Sequence, residues 1–199
     1  MSQQVEIEAV VLAGGLSRRM DRNDKGLITL ADKPMVSYVL ERLQPQVQHI
    51  RINANQNQQQ YAQFGYAVFA DKLPGFMGPL TGMYSALVDT KADYVLVVPC
   101  DCPLLPKDLA ARMLTQLLAD NADVAVATDG ERDHSVVLLI KPKLAESIRI
   151  FLETGRRRVD MWYGDFRVTR VSFADQPEAF VNVNTPEDKQ QLAEVIAQS

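Results

Sequence analysis

Apolar runs and segments with helical periodicity alternate along most of this chain. Several of the runs carry apolar side chains at consecutive positions instead of at every second one. Continuous apolar runs of this length are typical of strands that are buried on both faces of a parallel sheet. The predicted strands are residues 7–13, 49–55, 66–71, 93–101, 123–129, 135–140 and 167–173.

The segments between these runs place apolar residues with the period of about 3.6 that an amphipathic helix requires. A strand–helix–strand order that recurs several times favours an α/β fold: a doubly wound, mostly parallel sheet with helices on both faces, and hence three layers. No linker or internal repeat divides the chain, so we expect one domain over residues 1–199. The predicted helices are residues 33–45, 57–64, 78–90, 106–120, 141–155 and 185–199.

Composition and charge limit what this domain binds. The chain has 199 residues with 21 Lys and Arg against 25 Asp and Glu, so its formal net charge is −4. At this charge bulk attraction to nucleic acid or anionic membranes is not expected, and any anion site must be local. The first residues lack the basic region and apolar core of a signal peptide, and no apolar run is long enough to span a membrane. We expect a cytoplasmic protein that binds neither nucleic acid nor membrane.

A glycine-containing, basic loop follows the first predicted strand. Gly14 and Gly15 allow a tight turn whose backbone N–H groups point at an anion, and Arg18, Arg19 and Lys25 add positive charge. A diphosphate or triphosphate would fit such a loop, and a plain turn followed by a solvated basic segment is the alternative. The spacing matches neither the Walker phosphate loop nor the glycine fingerprint of dinucleotide-binding folds.

Short polar side chains lie at the carboxyl ends of the next three predicted strands: Asn53, Asp71 and Asp101. Because ligands of open α/β sheets bind beyond the carboxyl ends of the strands, we expect these residues and the glycine loop to form one rim. Asp101 follows a run of buried residues, and Mg²⁺ shared with a phosphate would explain a carboxylate there; capping of the next helix is the alternative. Asp71 and Asn53 either bind a ribose or base, or only stabilise their own turns.

Candidates for a second, acceptor-side site lie in the last third of the chain. Asn182 and Asn184 alternate, so an extended segment presents both amides on one side, where they could complete a metal or phosphate shell. Asn184 is alternatively a turn residue before the last helix. His134, in a charged turn before a strand, and Arg156, the first of three arginines, are each either a contact of an acceptor phosphate or an ordinary loop residue.

The two cysteines of the chain, Cys100 and Cys102, flank Asp101. Zinc takes about four ligands, and both histidines are far from this pair in sequence. We therefore predict that the cysteines are buried structural thiols.

Taken together, these motifs resemble those of the nucleotidyltransferases, and most closely the molybdenum cofactor guanylyltransferases. The likeness extends over nearly the whole chain and depends on the ordered set of motifs. Asp21 departs from the pattern, because the family usually has glycine directly after Arg-Arg-Met, and a carboxylate there would repel a nearby phosphate unless it points away. The matching stretches are VVLAGGLSRRMDRNDKG, INAN, FAD, GPLTGM, VPCDCPLLP, DGERDH, GRRRV and FVNVNTPED.

The resemblance implies a Rossmann-like nucleotidyltransferase fold and an enzyme that transfers GMP from GTP to the phosphate of molybdopterin or its molybdenum form, with release of pyrophosphate and with Mg²⁺ as cofactor. Residues 1–130 would bind the nucleotide and residues 131–199 the acceptor. Lys25 and Asp101 would be catalytic, with Asp101 as the metal ligand. The implied nucleotide-binding residues are Leu12, Ala13, Gly14, Gly15, Lys25, Asn53, Asp71 and Asp101, and the implied acceptor-binding residues are Arg19, His134, Arg156, Asn182 and Asn184.

The residues alone leave other functions open. Nothing in them separates guanine from cytosine, so CMP transfer to molybdopterin, or nucleotide transfer to a sugar phosphate, is a rival with the same chemistry. A non-catalytic adaptor that hands the cofactor to apo-enzymes is a second rival, although the presence of both Lys25 and Asp101 argues against it, and a structural interaction domain is a third. Expected partners are GTP, molybdopterin and molybdoenzyme chaperones or other cofactor-biosynthesis proteins. We expect a monomer, because no exposed heptad or apolar helix face points to a dimer.

Overall fold

The structure, a computed structural model, describes residues 5–13, 24–75, 78–183 and 186–197. Several residues of the predicted site lie outside these ranges: Gly14, Gly15, Arg18, Arg19, Asp21 and Asn184. The strands of the described part are β1 (Ile7–Leu12), β2 (Thr29–Leu30), β3 (Lys33–Pro34), β4 (His49–Asn53), β5 (Ala67–Phe69), β6 (Tyr94–Pro99), β7 (Val124–Thr128), β8 (Asp133–Ile140) and β9 (Val168–Ser172). Its helices are α1 (Met35–Leu43), α2 (Gln58–Ala62), α3 (Pro79–Asp89), α4 (Leu109–Ala119), α5 (Ala145–Glu153), α6 (Val159–Tyr163) and α7 (Pro186–Ala197), with 3-10 turns at Lys25–Leu27 and Pro142–Leu144.

Seven strands form one sheet in the order β5–β4–β1–β6–β8–β7–β9, and β2 and β3 form a separate hairpin. The first four strands in that order are parallel to one another, β8 is antiparallel to both neighbours, and β9 is parallel to β7. Ala9, Val10 and Val11, at the centre of β1, are fully buried, as expected of a strand covered on both faces. The mostly parallel sheet that the continuous apolar runs predict is confirmed.

Helices cover both faces of this sheet. On one face, apolar side chains of α1, α2 and α4 pack against Ala9 and Val11 of β1. On the other face, α3, α5 and α6 pack against the alternate residues, among them Val10 and Val97. Successive side chains of a strand point to opposite faces, so one core cluster covers each face of the sheet and the fold has the three predicted layers. A third, smaller cluster joins Leu30 and Met35 to Val183 and Leu192. None of the helices in the described ranges is long and apolar enough to cross a membrane.

A buried ion pair fixes α3 to the sheet. Glu8 of β1 and Arg51 of β4 have side chains that are largely buried, and Arg51 Nε donates to Glu8 Oε1 at 2.9 Å. Arg51 Nη2 also donates to the Ala86 carbonyl of α3 at 3.0 Å. The pair therefore sets the position of a helix whose first half, at Gly82, lies against the ends of β1 and β4.

Short elements are the main difference between the predicted and the observed fold. The β2–β3 hairpin, α6 and the 3-10 turn Lys25–Leu27 are not predicted, because each is too short for a period to be visible. The predicted position of His134 in a turn is wrong: β8 already begins at Asp133, and His134 pairs with Ala127 of β7. The division between residues 130 and 131 falls in the β7–β8 turn, and β8 lies between β6 and β7, so both parts contribute to one sheet.

Candidate functional site

The carboxyl ends of four parallel strands meet at one edge of the sheet, and we call the residues there, Leu12, Asn53, Asp71 and Asp101, the rim. Leu12 ends β1 and lies beside Asn53 of β4 on one side and Pro99 of β6 on the other, while β5 pairs with β4. Asp71 and Asp101 follow β5 and β6 by two residues each. The residues predicted at separate strand ends therefore share one edge of the sheet.

Lys25 and Asp101, the two predicted catalytic residues, come together although they are 76 positions apart in sequence. Lys25 Nζ lies 3.2 Å from Asp101 Oδ2, and the two side chains are 26% and 14% exposed. Lys25 reaches the rim because the 3-10 turn that it begins packs against Cys100, at the end of β6. An ammonium and a carboxylate that are both partly open to solvent can bind a phosphate and a divalent cation side by side.

Two asparagines hold Asp71. Asn53 Nδ2 donates to Asp71 Oδ1 at 2.9 Å, and Asn55 Nδ2 donates to Asp71 Oδ2 at 2.9 Å. The Asp71 N–H in turn donates to Asn55 Oδ1 at 2.8 Å. Asn53 is only 3% exposed, whereas Asp71 is half-buried. Of the two residues predicted to contact a ribose or base, Asp71 is accessible and Asn53 orients its carboxylate.

The backbone at Leu12 and Ala13 is partly engaged within the sheet. The Leu12 carbonyl accepts from the Cys100 N–H at 3.1 Å, and the Ala13 N–H donates to the Asn53 carbonyl at 2.8 Å. A nucleotide contact of these two residues would therefore use the remaining carbonyl lone pairs. The N–H groups of the predicted anion site belong to Gly14 and Gly15, which lie outside the described residues.

A glycine brings α3 close to the rim. A Cβ atom at Gly82 would lie 2.3 Å from Asn53 Oδ1 and 2.9 Å from Leu12 Cδ2. Any larger residue would displace the amide that orients Asp71. Further along α3, the Ser85 hydroxyl accepts at 2.8 Å from the N–H of the residue that follows Asp71. The helix thus contacts both ends of the Asp71 network.

Asn182, a predicted acceptor residue, lies next to Asp101. Its Oδ1 accepts from the Cys102 thiol at 2.7 Å, and the N–H of Val183 donates to the Asp101 carbonyl at 3.3 Å. These contacts bring the late segment to the rim across 80 positions of sequence. Asn184, its predicted companion, lies outside the described residues.

Both cysteines beside Asp101 are buried. Cys100 and Cys102 are 7% and 2% exposed, and no disulfide joins them. Burial raises the pKa of both thiols, so they stay protonated at neutral pH. The prediction of buried structural thiols is confirmed.

His134 belongs to a small packed cluster. Its Nε2 lies 2.7 Å from Asp129 Oδ2, and its ring lies against Phe180 with the centroids 4.4 Å apart. Hydrogen bonds from two backbone N–H groups, together with the histidine, lower the pKa of Asp129. His134 is therefore a paired, half-buried strand residue near the segment that carries Asn182, and its contact with an acceptor phosphate stays a prediction.

Arg156 lies in the turn that ends α5. Gly155 has a φ of 85°, the left-handed conformation that commonly ends a helix. The Arg156 guanidinium lies 5.6 Å from the centre of the Phe151 ring, and Arg157 Nη1 donates to the Leu152 carbonyl at 2.8 Å. These contacts are those of a basic turn at a helix end, the alternative that the sequence left open. A role for Arg156 at the acceptor stays a prediction.

The described residues hold no ready-made metal cage. Within residues 5–13, 24–75, 78–183 and 186–197, no group of three or more His, Cys, Asp or Glu side chains is arranged to hold an ion. Mg²⁺ often binds through one or two carboxylates, with substrate phosphates and water as the other ligands. The donor set at Asp101 fits that kind of site and does not fit a permanent, fully protein-ligated one.

Four residues that support the site are not singled out by the sequence. The sequence still contains a hint of the role of Gly82, because a glycine inside a predicted helix indicates that another part of the chain approaches the helix backbone closely. Asn55 carries a weaker one, its two-residue spacing from Asn53. Asp24 and Tyr61, which contact each other next to Lys25, carry none, because nothing local links positions 37 residues apart.

Comparisons with solved structures and a family model define the class of protein to which this fold and rim belong. The model described as MobA-like NTP transferase domain matches residues 9–166. Molybdopterin-guanine dinucleotide biosynthesis protein A from Archaeoglobus fulgidus superposes with a TM-score of 0.80 at 17% identity, covering 96% of this chain and 100% of that one. A CMP:2-keto-3-deoxy-manno-octonic acid synthetase complexed with CTP gives 0.74 at 15% identity, covering 97% and 99%. At these identities the likeness shows the nucleotidyltransferase fold alone.

Proteins from species of Shewanella are more similar in sequence, and two of them serve as examples. The molybdenum cofactor guanylyltransferase of Shewanella pealeana is 55% identical over 192 residues, which cover 96% of each chain. That of Shewanella woodyi is 56% identical over 193 residues, which cover 97% of this chain and 98% of the relative. The chain therefore belongs to the MobA-like NTP transferases and, within them, to the molybdenum cofactor guanylyltransferase family.

Proposed function

We propose that this protein transfers GMP from GTP to the phosphate of molybdopterin, or of its molybdenum form, and releases pyrophosphate. The observation that carries the proposal is the pair of Lys25 and Asp101 at the rim, where 3.2 Å separates a phosphate-binding ammonium from a carboxylate suited to a divalent cation. Membership of the family supports guanine as the base and molybdopterin as the acceptor.

The reaction needs no covalent enzyme intermediate. An oxygen of the acceptor phosphate attacks the α-phosphorus of GTP, the new P–O bond forms, and the bond to the departing pyrophosphate breaks on the opposite side. A phosphate monoester has a second pKa of about 6, so the attacking oxygen is already ionised near neutral pH. This explains why the rim needs no dedicated general base.

Catalysis would then consist of positioning and charge neutralisation. The ammonium of Lys25 would bind the phosphates and offset the charge that develops on the pyrophosphate. Asp71, which is half-buried and held by two amides, would contact the ribose or base. Asn53 would contribute to GTP binding through Asp71, because its own side chain is buried. Asn182, beside Asp101, would lie on the acceptor side of the reacting phosphorus.

Asp101 would hold the Mg²⁺ ion that accompanies the nucleotide. One Asp101 oxygen already pairs with Lys25, so the ion and the ammonium would share this carboxylate. Bound Mg²⁺ supplies a positive charge that stabilises the phosphate oxygens in the transition state. The residues of the chain would keep this charge and that of Lys25 beside the same phosphates.

The proposal is tested by pyrophosphate release from GTP and, in parallel, from CTP, with Mg²⁺ and with or without molybdopterin. We expect release from GTP only, and only with the pterin present. Pyrophosphate release from CTP instead would change the assigned base from guanine to cytosine and would leave the proposed mechanism unchanged. Nucleotide binding without release from either would favour the non-catalytic adaptor.

We further propose that the enzyme acts as a cytoplasmic monomer, with molybdoenzyme chaperones or other cofactor-biosynthesis proteins as later partners. The large apolar side chains exposed in the described residues are Val88, Leu118, Ile150, Met161 and Val181, each on a different segment. Such scattered residues are ordinary on a monomer surface. Light scattering should give the mass of one chain, and the mass of two would contradict the proposal.

A further inference from the structure

A buried tyrosine contacts the segment that carries Lys25. Tyr61 of α2 has no exposed surface, and its hydroxyl donates to Asp24 Oδ1. The Asp24 carboxylate also accepts from the Gly26 N–H at 3.3 Å and from Asn57 Nδ2 at 3.2 Å. Asp24 is thus bound by its own turn and by two residues in or next to α2, more than thirty positions away.

The residue on the other side of Lys25 contacts the same hydroxyl. Gly26 is buried, and a Cβ atom there would lie 2.5 Å from the Tyr61 hydroxyl oxygen and 3.3 Å from Cys100 Cβ. Only glycine lets the backbone approach this closely. Tyr61 therefore contacts both chain neighbours of Lys25, one by a hydrogen bond and the other by packing.

The hydroxyl is a permanent donor. Burial, the neighbouring Cys100 and the Asp24 carboxylate all raise the pKa of Tyr61, so its proton stays in place throughout the working range of pH. A lysine side chain is long and flexible, and it loses rotamer entropy when it is fixed. A backbone that is fixed on both sides limits where the ammonium can lie.

We propose that Tyr61 is a positioning residue for Lys25: through Asp24 and Gly26 it fixes the backbone from which the Lys25 ammonium reaches Asp101 and the nucleotide phosphates. The inference rests on the proposed function for its kinetic consequence. Its structural claim, that Tyr61 keeps Lys25 Nζ at 3.2 Å from Asp101, does not depend on which reaction the protein catalyses.

The test removes one oxygen. Tyr61→Phe keeps the buried ring and deletes the hydroxyl. Tyr38→Phe is the matched control, because the Tyr38 hydroxyl also donates to a carboxylate, Asp32 Oδ1 at 2.8 Å, but on the β2–β3 hairpin. The kcat and KM for GTP are measured by pyrophosphate release with molybdopterin, at a temperature well below the Tm of every variant. The same substitution is also made in the Lys25→Ala background.

We expect Tyr61→Phe to lower kcat/KM for GTP by roughly 10- to 100-fold, since a small misplacement of a catalytic group has effects of that order. Tyr38→Phe should change it by less than roughly twofold. In the Lys25→Ala background Tyr61→Phe should add almost nothing, because groups that act as a unit are not additive. A merely structural tyrosine would lower Tm and leave the kinetics of the folded enzyme unchanged, which would overturn the proposal. A full additional loss in the Lys25→Ala background would overturn it too.

A crystal structure of each protein separates this inference from the proposed function. If the wild-type enzyme transfers no nucleotide, the function fails, and the inference is still decided by geometry. We expect the contact between Lys25 and Asp101 to be present in the wild-type crystal and lost or displaced in Tyr61→Phe. If the Lys25–Asp101 contact is the same in the wild-type and Tyr61→Phe crystals, the positioning role of Tyr61 is refuted. Should Tyr61→Phe not fold, Asp24→Ala breaks the same connection and takes its place in both experiments.

Discussion

Gly82→Ala isolates the steric requirement at the rim. An alanine inside a helix is more favourable than glycine by about 1 kcal/mol, so propensity alone predicts stabilisation. The new Cβ would lie 2.3 Å from Asn53 Oδ1 and 3.0 Å from Asn53 Cγ, distances that require the amide to move. Asn53 is buried and donates to Asp71, so it has little room to do so. Overpacking of this kind costs about 1–3 kcal/mol.

We therefore expect Gly82→Ala to lower the free energy of unfolding by about 1 kcal/mol, or Tm by about 2–4 °C, and to weaken GTP binding because Asp71 loses its orientation. Urea denaturation and GTP titration measure the two effects. The control is the same change in an Asn53→Ala background, where the crowded amide is gone and much of the cost should disappear. A Gly82→Ala protein that is as stable as wild type and binds GTP equally well would refute the reasoning.

Four further substitutions test the ion pairs. Asp101→Ala should abolish Mg²⁺-dependent turnover with the fold intact, and Lys25→Ala should weaken GTP binding and slow transfer; unchanged turnover in either would remove that residue from the site. Burial would raise the pKa of Asp123, but three cationic partners outweigh burial and lower the pKa from 3.8 to about 2. The ionised carboxylate therefore stabilises the fold above about pH 4, and this contribution is lost as the pH falls through 2. Asp123→Asn should lower the free energy of unfolding at pH 7 and flatten the acid side of its pH dependence, and an unchanged pH dependence would contradict this prediction. Arg51→Met should cost about 3 kcal/mol in urea denaturation because it leaves Glu8 buried and unpaired, and Glu8→Leu/Arg51→Met should recover most of it; a neutral single variant would contradict the buried pair.

The rim is predictable from the sequence because it follows from local pattern and one general rule. Continuous apolar runs identify parallel strands, and in a parallel sheet the residues after those runs must share an edge. Asn53, Asp71 and Asp101 therefore come together without any knowledge of long-range contacts. The pairing of Lys25 with Asp101 agrees with the family resemblance, and no local feature of the sequence would show it.

Contacts that depend on side-chain packing across the fold are not predictable in this way. The Tyr61–Asp24 bond and the bond from the Cys102 thiol to Asn182 join segments far apart in sequence. The glycine inside α3 indicates a close approach at Gly82, but the sequence does not show that Asn53 is the residue approached. A helix of five residues such as α2 shows no clear period, so its one buried tyrosine is indistinguishable from an ordinary core residue.

GTP labelled at a single phosphorus tests the central claim, GMP transfer, most directly. Two reactions with molybdopterin and Mg²⁺ are compared, one with ³²P at the α position and one with ³²P at the γ position, and the pterin product is separated from pyrophosphate. The account predicts that the α label appears in the pterin product in step with pyrophosphate release and that the γ label appears only in pyrophosphate. Two results would contradict nucleotidyl transfer by this protein: γ label in the pterin product, or release of pyrophosphate while the pterin product carries no α label.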